Sequence, residues 1–253
     1  MYNEKYKCCL RIERGRLLGI GWGNSMGILY EQVLDRLREY RGNRSMTQRE
    51  VAQMLGISQS QYSKMESGNA QIPYRVLLCM YKEGWDLDYL VTGEVFEGEG
   101  GRFVDVRGRF SGMERSVAYQ LILWAVDVFL IVDGREQSEE IRLMKILLYH
   151  EDRTSVLRVV RESLDMSQVI MAESVGIGLR KYRQLERESK QPDFKVLCQV
   201  CELGRAVPTL FFDWEAGKSL LVERLWGEFS EERQRKLWML LESGRRLARI
   251  LTT

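Results

Sequence analysis

The chain is short of several residue types that carry much of protein chemistry. It has one histidine, His150, and three prolines in 253 residues. A lone histidine argues against a histidine-based metal cluster or catalytic dyad. There is no phosphate loop, no cluster of metal ligands and no nucleophile beside a base, so a non-enzymatic protein without cofactor or metal is expected. Long apolar runs are scarce too. The strongest, "LILWAVDVFLIV" (Leu121–Val132), is too short to span a bilayer and contains Asp127, so it reads as a buried helix and no membrane partner is expected. Charge of one sign is also lacking, with 38 basic against 36 acidic residues and a net charge of +2. Locally the balance is +3 over 1–26, −3 over 94–149, +2 over 215–253 and zero over 27–93 and 150–214. Any basic footprint for nucleic acid is therefore local.

The five cysteines, Cys8, Cys9, Cys79, Cys198 and Cys201, are an odd count. With no signal peptide they read as reduced thiols, and the expected location is the cytoplasm. Cys198 and Cys201 form a CxxC without a second pair, in "FKVLCQVCELG". That setting resembles a buried helix face more than a zinc or redox site.

What is present is enough apolar sequence for a core, 45%, and an internal repeat. At an offset of 120, residues 37–90 match 157–210 at 15 of 54 positions without a gap. The matches include Arg41/Arg161, Met46/Met166, Gln48/Gln168, Ala52/Ala172, Gly56/Gly176, Tyr62/Tyr182, Glu66/Glu186, Gly84/Gly204 and Leu90/Leu210. A fainter echo links "FSGMER" (Phe110–Arg115) with "FSEERQ" (Phe229–Gln234).

The periodicity predicts an almost wholly helical chain. In the first unit helices are expected near 27–41, 47–55, 58–67, 73–83 and 86–91. In the second they are expected near 153–163, 167–175, 178–187, 193–203 and 207–213. Others fall near 113–132, 138–149, 217–228 and 230–250. Thr47 with Glu50 makes a capping box, and Pro73 suits a first helical turn. Ser138 and Ser230 stand before acidic residues, as N-caps do. Leu10–Ile20 and Gly101–Phe110 resist a helical reading and are candidates for a short hairpin or irregular arm. Met26 is an alternative start, which would leave 1–25 as a leader.

Within "TQREVAQMLGISQSQYSKMESG" (Thr47–Gly68) the spacing explains itself. Val51, Ala52 and Leu55 share a helix face. Gly56 ends that helix, Ile57 plugs the turn, and Ser58 caps a second helix that turns Tyr62 and Met65 inward. Ala52 is small where the two helices cross. Two short helices locked at a steep angle by a glycine turn make a helix-turn-helix. "SQVIMAESVGIGLRKYRQLERE" (Ser167–Glu188) fills the same slots with Met171, Ala172, Val175, Gly176, Ile177, Tyr182 and Leu185.

Both stretches resemble the Cro/cI-type (XRE) helix-turn-helix domain, the fuller match being "LREYRGNRSMTQREVAQMLGISQSQYSKMESGNAQIP". The resemblance covers 27–93 well and 153–213 less closely. It implies two lambda-repressor-like five-helix domains in an all-α chain, joined by a helical middle segment and followed by C-terminal helices. It also implies that the third helix of each enters the major groove of double-stranded DNA. The expected division is an arm over 1–26, a first domain over 27–93, a connector over 94–149, a second, degenerate domain over 150–214 and terminal helices over 215–253.

Carried onto this sequence, the candidate DNA contacts of the first unit are Gln59, Ser60, Gln61, Ser63 and Lys64, with Gln48 at a helix start and Asn69 and Gln71 in the following loop. Glutamine pairs with adenine, serine is permissive, and lysine meets guanine or phosphate. The second unit departs from this pattern. Gly178 replaces the capping serine, Leu179 replaces Gln59, and Glu188 stands where Gly68 stands. It is nevertheless the more basic, and Gln168, Leu179, Arg180, Lys181, Arg183 and Gln184 are its candidates. A chain with two such units can imitate the symmetric dimer by which single domains read DNA.

The expected function is thus a sequence-specific bacterial regulator of transcription, a repressor first. The competing reading is an interaction or antitoxin-like regulator whose second unit binds protein, to be marked by Val169, Ile170 and Leu179 exposed together. The middle and C-terminal helices, with Trp124, Leu147, Trp226 and Trp238, should form a framework between the units or a homodimer interface.

Overall fold

Several helices in the repeated part begin where the sequence offers a side-chain cap. Thr47 and Glu50 exchange hydrogen bonds ahead of the helix over Gln48–Met54, Asp86 caps the helix over Leu87–Thr92, and Ser167 and Asp193 do the same at Gln168 and Phe194. In chain order the helices are α1 (Trp22–Asn43), α2 (Gln48–Met54), α3 (Gln59–Glu66), α4 (Tyr74–Lys82), α5 (Leu87–Thr92), α6 (Gly112–Asp133), α7 (Glu139–Tyr149), α8 (Val156–Ser163), α9 (Gln168–Ser174), α10 (Leu179–Glu186), α11 (Phe194–Gly204), α12 (Trp214–Gly227) and α13 (Glu231–Thr252). A 3-10 turn, Pro208–Phe211, precedes α12. The computed structural model describes residues 22–93, 110, 112–134, 138–149, 155–227 and 229–252. Among them the chain is all-α, with thirteen α-helices and no strand.

Most boundaries fall within a residue or two of the periodicity. Differences have local causes. Pro73 sits at the N-cap of α4 rather than in its first turn. The fifth element of the second unit tightens to a 3-10 turn, with Pro208 at its start. α1 begins at Trp22 and so runs through the boundary expected at 26. Of the two candidate hairpins, only Phe110 is described, and it is buried. Cys8, Cys9 and His150 lie outside the described residues, as do 151–154 at the expected start of α8.

The two units meet directly, where the sequence suggested a framework between them. The Phe194 N–H donates to the Ile72 carbonyl at 2.9 Å. The Tyr74 hydroxyl donates to the Phe211 carbonyl at 2.7 Å, and Phe212 stacks on both Tyr74 and Tyr81, with ring centroids 5.4 and 5.1 Å apart. Buried Asp88, on α5, accepts the Thr209 N–H at 2.9 Å and the Thr209 hydroxyl. Burial raises the Asp88 carboxyl, and the Thr209 hydrogen bonds oppose that rise. Tyr74 and Phe194 are repeat equivalents, and α5 is equivalent to the 3-10 turn. Of these contacts, that between α5 and the 3-10 turn joins repeat equivalents.

Outside the seam, α7 packs on α8, α11 and α12 of the second half, and α6 on α7 and α13. α6 and α13 run antiparallel. Arg249 donates to Glu114 at 2.5 Å near one end, and Arg233 grips Asp133 with two 2.6 Å bonds at the other. Between them Gly244 leaves room for Leu121, which a Cβ would overlap. By length and composition Glu114–Asp133, of mean hydropathy 1.7, would suffice to cross a membrane. The apolar string of the sequence is thus extended, within α6, to a helix of spanning length. Its inner face, with Ala118, Ile122, Leu123, Ala125 and Val126, is core. Its outer face is not: Trp124 is 59% exposed and Ile131 79%. Leu147 and Trp226 are buried, and Trp238 packs edge-on against Phe110. Cys198 and Cys201 are buried free thiols, held neutral by burial.

Candidate nucleic-acid interface

The site begins with a turn. α2 ends at Met54 with Leu55 as its C-cap, Gly56 takes φ +64°, and the Ile57 N–H returns to the Ala52 carbonyl at 2.9 Å. That left-handed residue strains any side chain, which is why glycine stands there. Ser58 then caps α3. Its Oγ accepts the Gln61 N–H, and its own N–H donates to Gln61 Oε1 at 3.0 Å. Val51, Ala52, Tyr62 and Met65 are buried at the crossing.

What fixes the tilt of α3 is a polar anchor. The Glu66 side chain is 3% exposed. It accepts from Arg41 Nε at 2.7 Å, Gln48 Nε2 at 2.6 Å and the Tyr62 hydroxyl at 3.2 Å. Arg41 also donates to the Met46 carbonyl at 2.9 Å. The end of α3 is thereby tied to α1 and to the first turn of α2. Burial would raise the Glu66 carboxyl, but the hydrogen bonds from Arg41 and Gln48 outweigh it and hold the group below the usual carboxylate range. A buried pair satisfied this fully adds little net stability, because desolvation offsets attraction, yet it specifies one geometry.

The anchor recurs in the second unit. Arg161 donates to Glu186 at 2.8 Å, Gln168 Nε2 to Glu186 at 3.0 Å, and Arg161 to the Met166 carbonyl at 3.1 Å. Gly176 takes φ +65°. The sequence reading did not assign a role to Arg41, Glu66 or their equivalents. Its signal was there in the repeat, because identical polar residues at buried positions mark a shared internal network.

With α3 so held, Gln59, Ser60, Gln61 and Lys64 are exposed along its outer side and Ser63 is half-buried. Asn69 and Gln71 are exposed in the following loop, Asn69 donating to Ser67 Oγ at 3.0 Å. Two of the candidates have structural duties. The Gln61 carbonyl oxygen is held by the helix cap. Gln48 is half-buried and donates to Glu66, so its side chain serves the anchor.

In the second unit Arg180, Lys181 and Arg183 are exposed, and Gln168 and Gln184 are half-buried. Lys181 pairs with Asp193 at 3.1 Å, and Arg183 donates to Gln168 Oε1 at 3.3 Å. Leu179 is half-buried, with part of its side chain packed against the core. Val169 is exposed but Ile170 is half-buried. The three apolar residues do not stand out together.

A family model described as a helix-turn-helix domain matches residues 35–93. Residues 35–93 form a helix-turn-helix domain. No curated protein and no solved structure matches the chain. The match covers α2 and α3 with their anchor and ends at Gly93, the left-handed cap of α5. Among the described residues no group of three or more acidic, cysteine or histidine side chains is placed to hold a metal.

Proposed function

We propose that the chain is a sequence-specific double-stranded DNA-binding regulator of transcription, acting as a repressor. The helix-turn-helix domain reads the major groove with α3. The observation that carries this reading is the exposed polar row Gln59, Ser60 and Lys64 on a helix whose tilt is fixed from behind by Glu66. A reading surface needs both properties, since a base contact depends on side chains held to a fraction of an ångström.

The second unit is proposed as a divergent helix-turn-helix that reads DNA through α10, with Arg180 as its principal base contact. Its anchor and turn support this, and the direct contact between the units lets one polypeptide stand in for a dimer. The preferred site is then two unlike half-sites about one helical turn, ~34 Å, apart. The protein-contact reading of the second unit has less support, because Val169, Ile170 and Leu179 do not stand exposed together. Both units are charge-balanced, so few phosphates are neutralised and the salt slope is shallow for a specific binder.

The test is selection of bound sites from a random duplex pool, followed by footprinting. Gln59→Ala should cost about 1–3 kcal/mol on the selected site and relax one base position. Lys64→Ala should weaken binding across sequences and lower the salt slope by about one if it holds a phosphate. Unchanged affinity in the double variant at several salt concentrations would remove α3 as the reader. A footprint of one half-site would leave α10 without a DNA role.

A further inference from the structure

The first unit completes a cap that the second does not make for itself. In the first unit Asp86 caps α5 by accepting the Tyr89 N–H at 2.8 Å. The repeat equivalents of Asp86 and Tyr89 are Ala206 and Thr209. Alanine offers no side-chain acceptor, and Val207, at the N-cap of the 3-10 turn, makes no side-chain bond to it. A buried N–H needs a partner, and Asp88 of the other unit provides one. It accepts the Thr209 N–H at 2.9 Å, across 121 positions of sequence, together with the Thr209 hydroxyl. This cap joins two well-braced paths. On one side α5 is tied to α1, where Arg36 donates to the Leu90 and Val91 carbonyls at 2.8 Å each, and α1 carries Arg41, which holds Glu66 of α3. On the other side the 3-10 turn packs on α11. Gly204 of α11 meets Val160 of α8 so closely that a Cβ would overlap it, and α8 carries Arg161, which holds Glu186 of α10. Among the described residues the main packing of α1–α5 on the rest of the chain runs through α11 and the 3-10 turn, whereas α6 and α7 pack on each other, on α13 and on the second half.

We propose that the seam at Asp88 and Thr209 sets the distance and rotation between α3 and α10, so that the chain accepts its two half-sites at one spacing only. The proposal rests on the reading of both units as DNA binders. Asp88 and Thr209 touch no base or phosphate in it; they are positioning residues. Adding about five base pairs between half-sites carries one of them half a turn around the duplex. Two reading helices braced against each other cannot follow, and the second contact is lost with its avidity. Units joined by the connector alone would follow, because a tether accommodates a range of spans. Tyr74 belongs to the same seam through its bond to the Phe211 carbonyl and its stack on Phe212.

The experiment measures the affinity of the full chain for duplexes carrying both selected half-sites with up to about five added base pairs, beside a duplex with one half-site. Wild type should bind the selected spacing about 100-fold tighter than the longest one, which should fall to the level of one half-site. The seam variant, Asp88→Ala with Tyr74→Ala, should hold all spacings within about 3-fold, as a tethered pair does. Asp88→Asn keeps an acceptor for the Thr209 N–H and should retain the wild-type profile. Inserting about ten Gly-Ser residues after Gly100 should also leave that profile unchanged, and this arm decides the matter if the seam variant loses its fold. Hydrogen exchange on the free chains checks that fold: protection over 207–212 should drop in the seam variant while that of α2 and α3 stays. A folded seam variant with the wild-type profile overturns the proposal and leaves the DNA reading standing. So does a connector insertion that broadens the profile, or a wild type that binds every spacing equally and above the one-half-site level. A wild type that binds two half-sites no tighter than one removes α10 as a reader, and this proposal with it.

Discussion

Glu66 gathers hydrogen bonds from Arg41, Gln48 and Tyr62, while Glu186 gathers them from Arg161 and Gln168 and leaves the Tyr182 hydroxyl to the Leu157 carbonyl at 3.4 Å. Around these matched anchors the outward side chains diverge. Gln59, Ser60 and Lys64 in one unit answer to Leu179, Arg180 and Gln184 in the other. The buried polar residues are thus the part of the repeat that resisted change, and the exposed ones the part that drifted. That is what a shared scaffold with two different surfaces requires. Removing a buried partner costs several kcal/mol, whereas an exposed change costs little.

The sharpest way to break the comparison is to remove the anchor from one unit at a time. Glu66→Ala strands Arg41, whose side chain is only 20% exposed, and should cost about 3–5 kcal/mol in denaturant unfolding. Glu186→Ala strands Arg161, 16% exposed, and should cost nearly as much, with a smaller loss because Tyr182 keeps its bond. Equal near-zero effects would mean that the anchors do not hold the units together. The acid limb gives a second handle on the first unit. Glu66 has its folded pKa below its unfolded value. Its stabilisation is therefore complete above the ordinary carboxylate range and is lost as pH falls through the folded value. Glu66→Gln should flatten that limb.

Much of this was legible in sequence. The capping box at Thr47, the Ser58 cap, the glycine turn and the apolar spacing located α2 and α3 because those signals are local. The copy at an offset of 120 located α9 and α10 for the same reason. The seam was not legible. Nothing near Tyr74 announces Phe211, 137 residues away, and nothing near Asp88 announces Thr209. Such pairings are set by how finished units dock, a property no periodicity records. Trp124 misled in the other direction. An aromatic in an apolar run reads as core, yet α6 has one face more apolar residues than the fold covers.

The matched pair Gly84 and Gly204 sharpens the comparison at an intermediate scale. Gly84 takes φ +71° with open space where a Cβ would be. Gly204 is the last residue of α11, and a Cβ there would run into Val160. The left-handed role has moved to Arg205, at φ +52°. Identity in the repeat thus conceals two different requirements. Gly204→Ala should cost about 1–3 kcal/mol by overpacking, and Val160→Ala in the same chain should relieve part of it. Gly84→Ala should cost about 1 kcal/mol from backbone strain alone, with no rescue by any neighbour. Rescue at position 84, or its absence at 204, would undo the distinction.

The smallest expected effect concerns the cap lost from the second unit. Ser58 caps α3, but Gly178, in the same extended conformation at φ −67° and ψ 145°, makes no side-chain bond to α10. Nothing lies within 4 Å of a Cβ at Gly178, so Gly178→Ser fits and its Oγ can accept the Lys181 N–H. The gain should be only a few tenths of a kcal/mol, because glycine is itself a fair N-cap. The full box also needs a glutamine at 181, as at Gln61, and Lys181→Gln would break the pair with Asp193. The double variant should therefore gain no more than Gly178→Ser alone. If instead it stabilises α10 by ~1 kcal/mol or more, the Lys181–Asp193 pair contributes nothing, and Lys181 is free to serve a surface function.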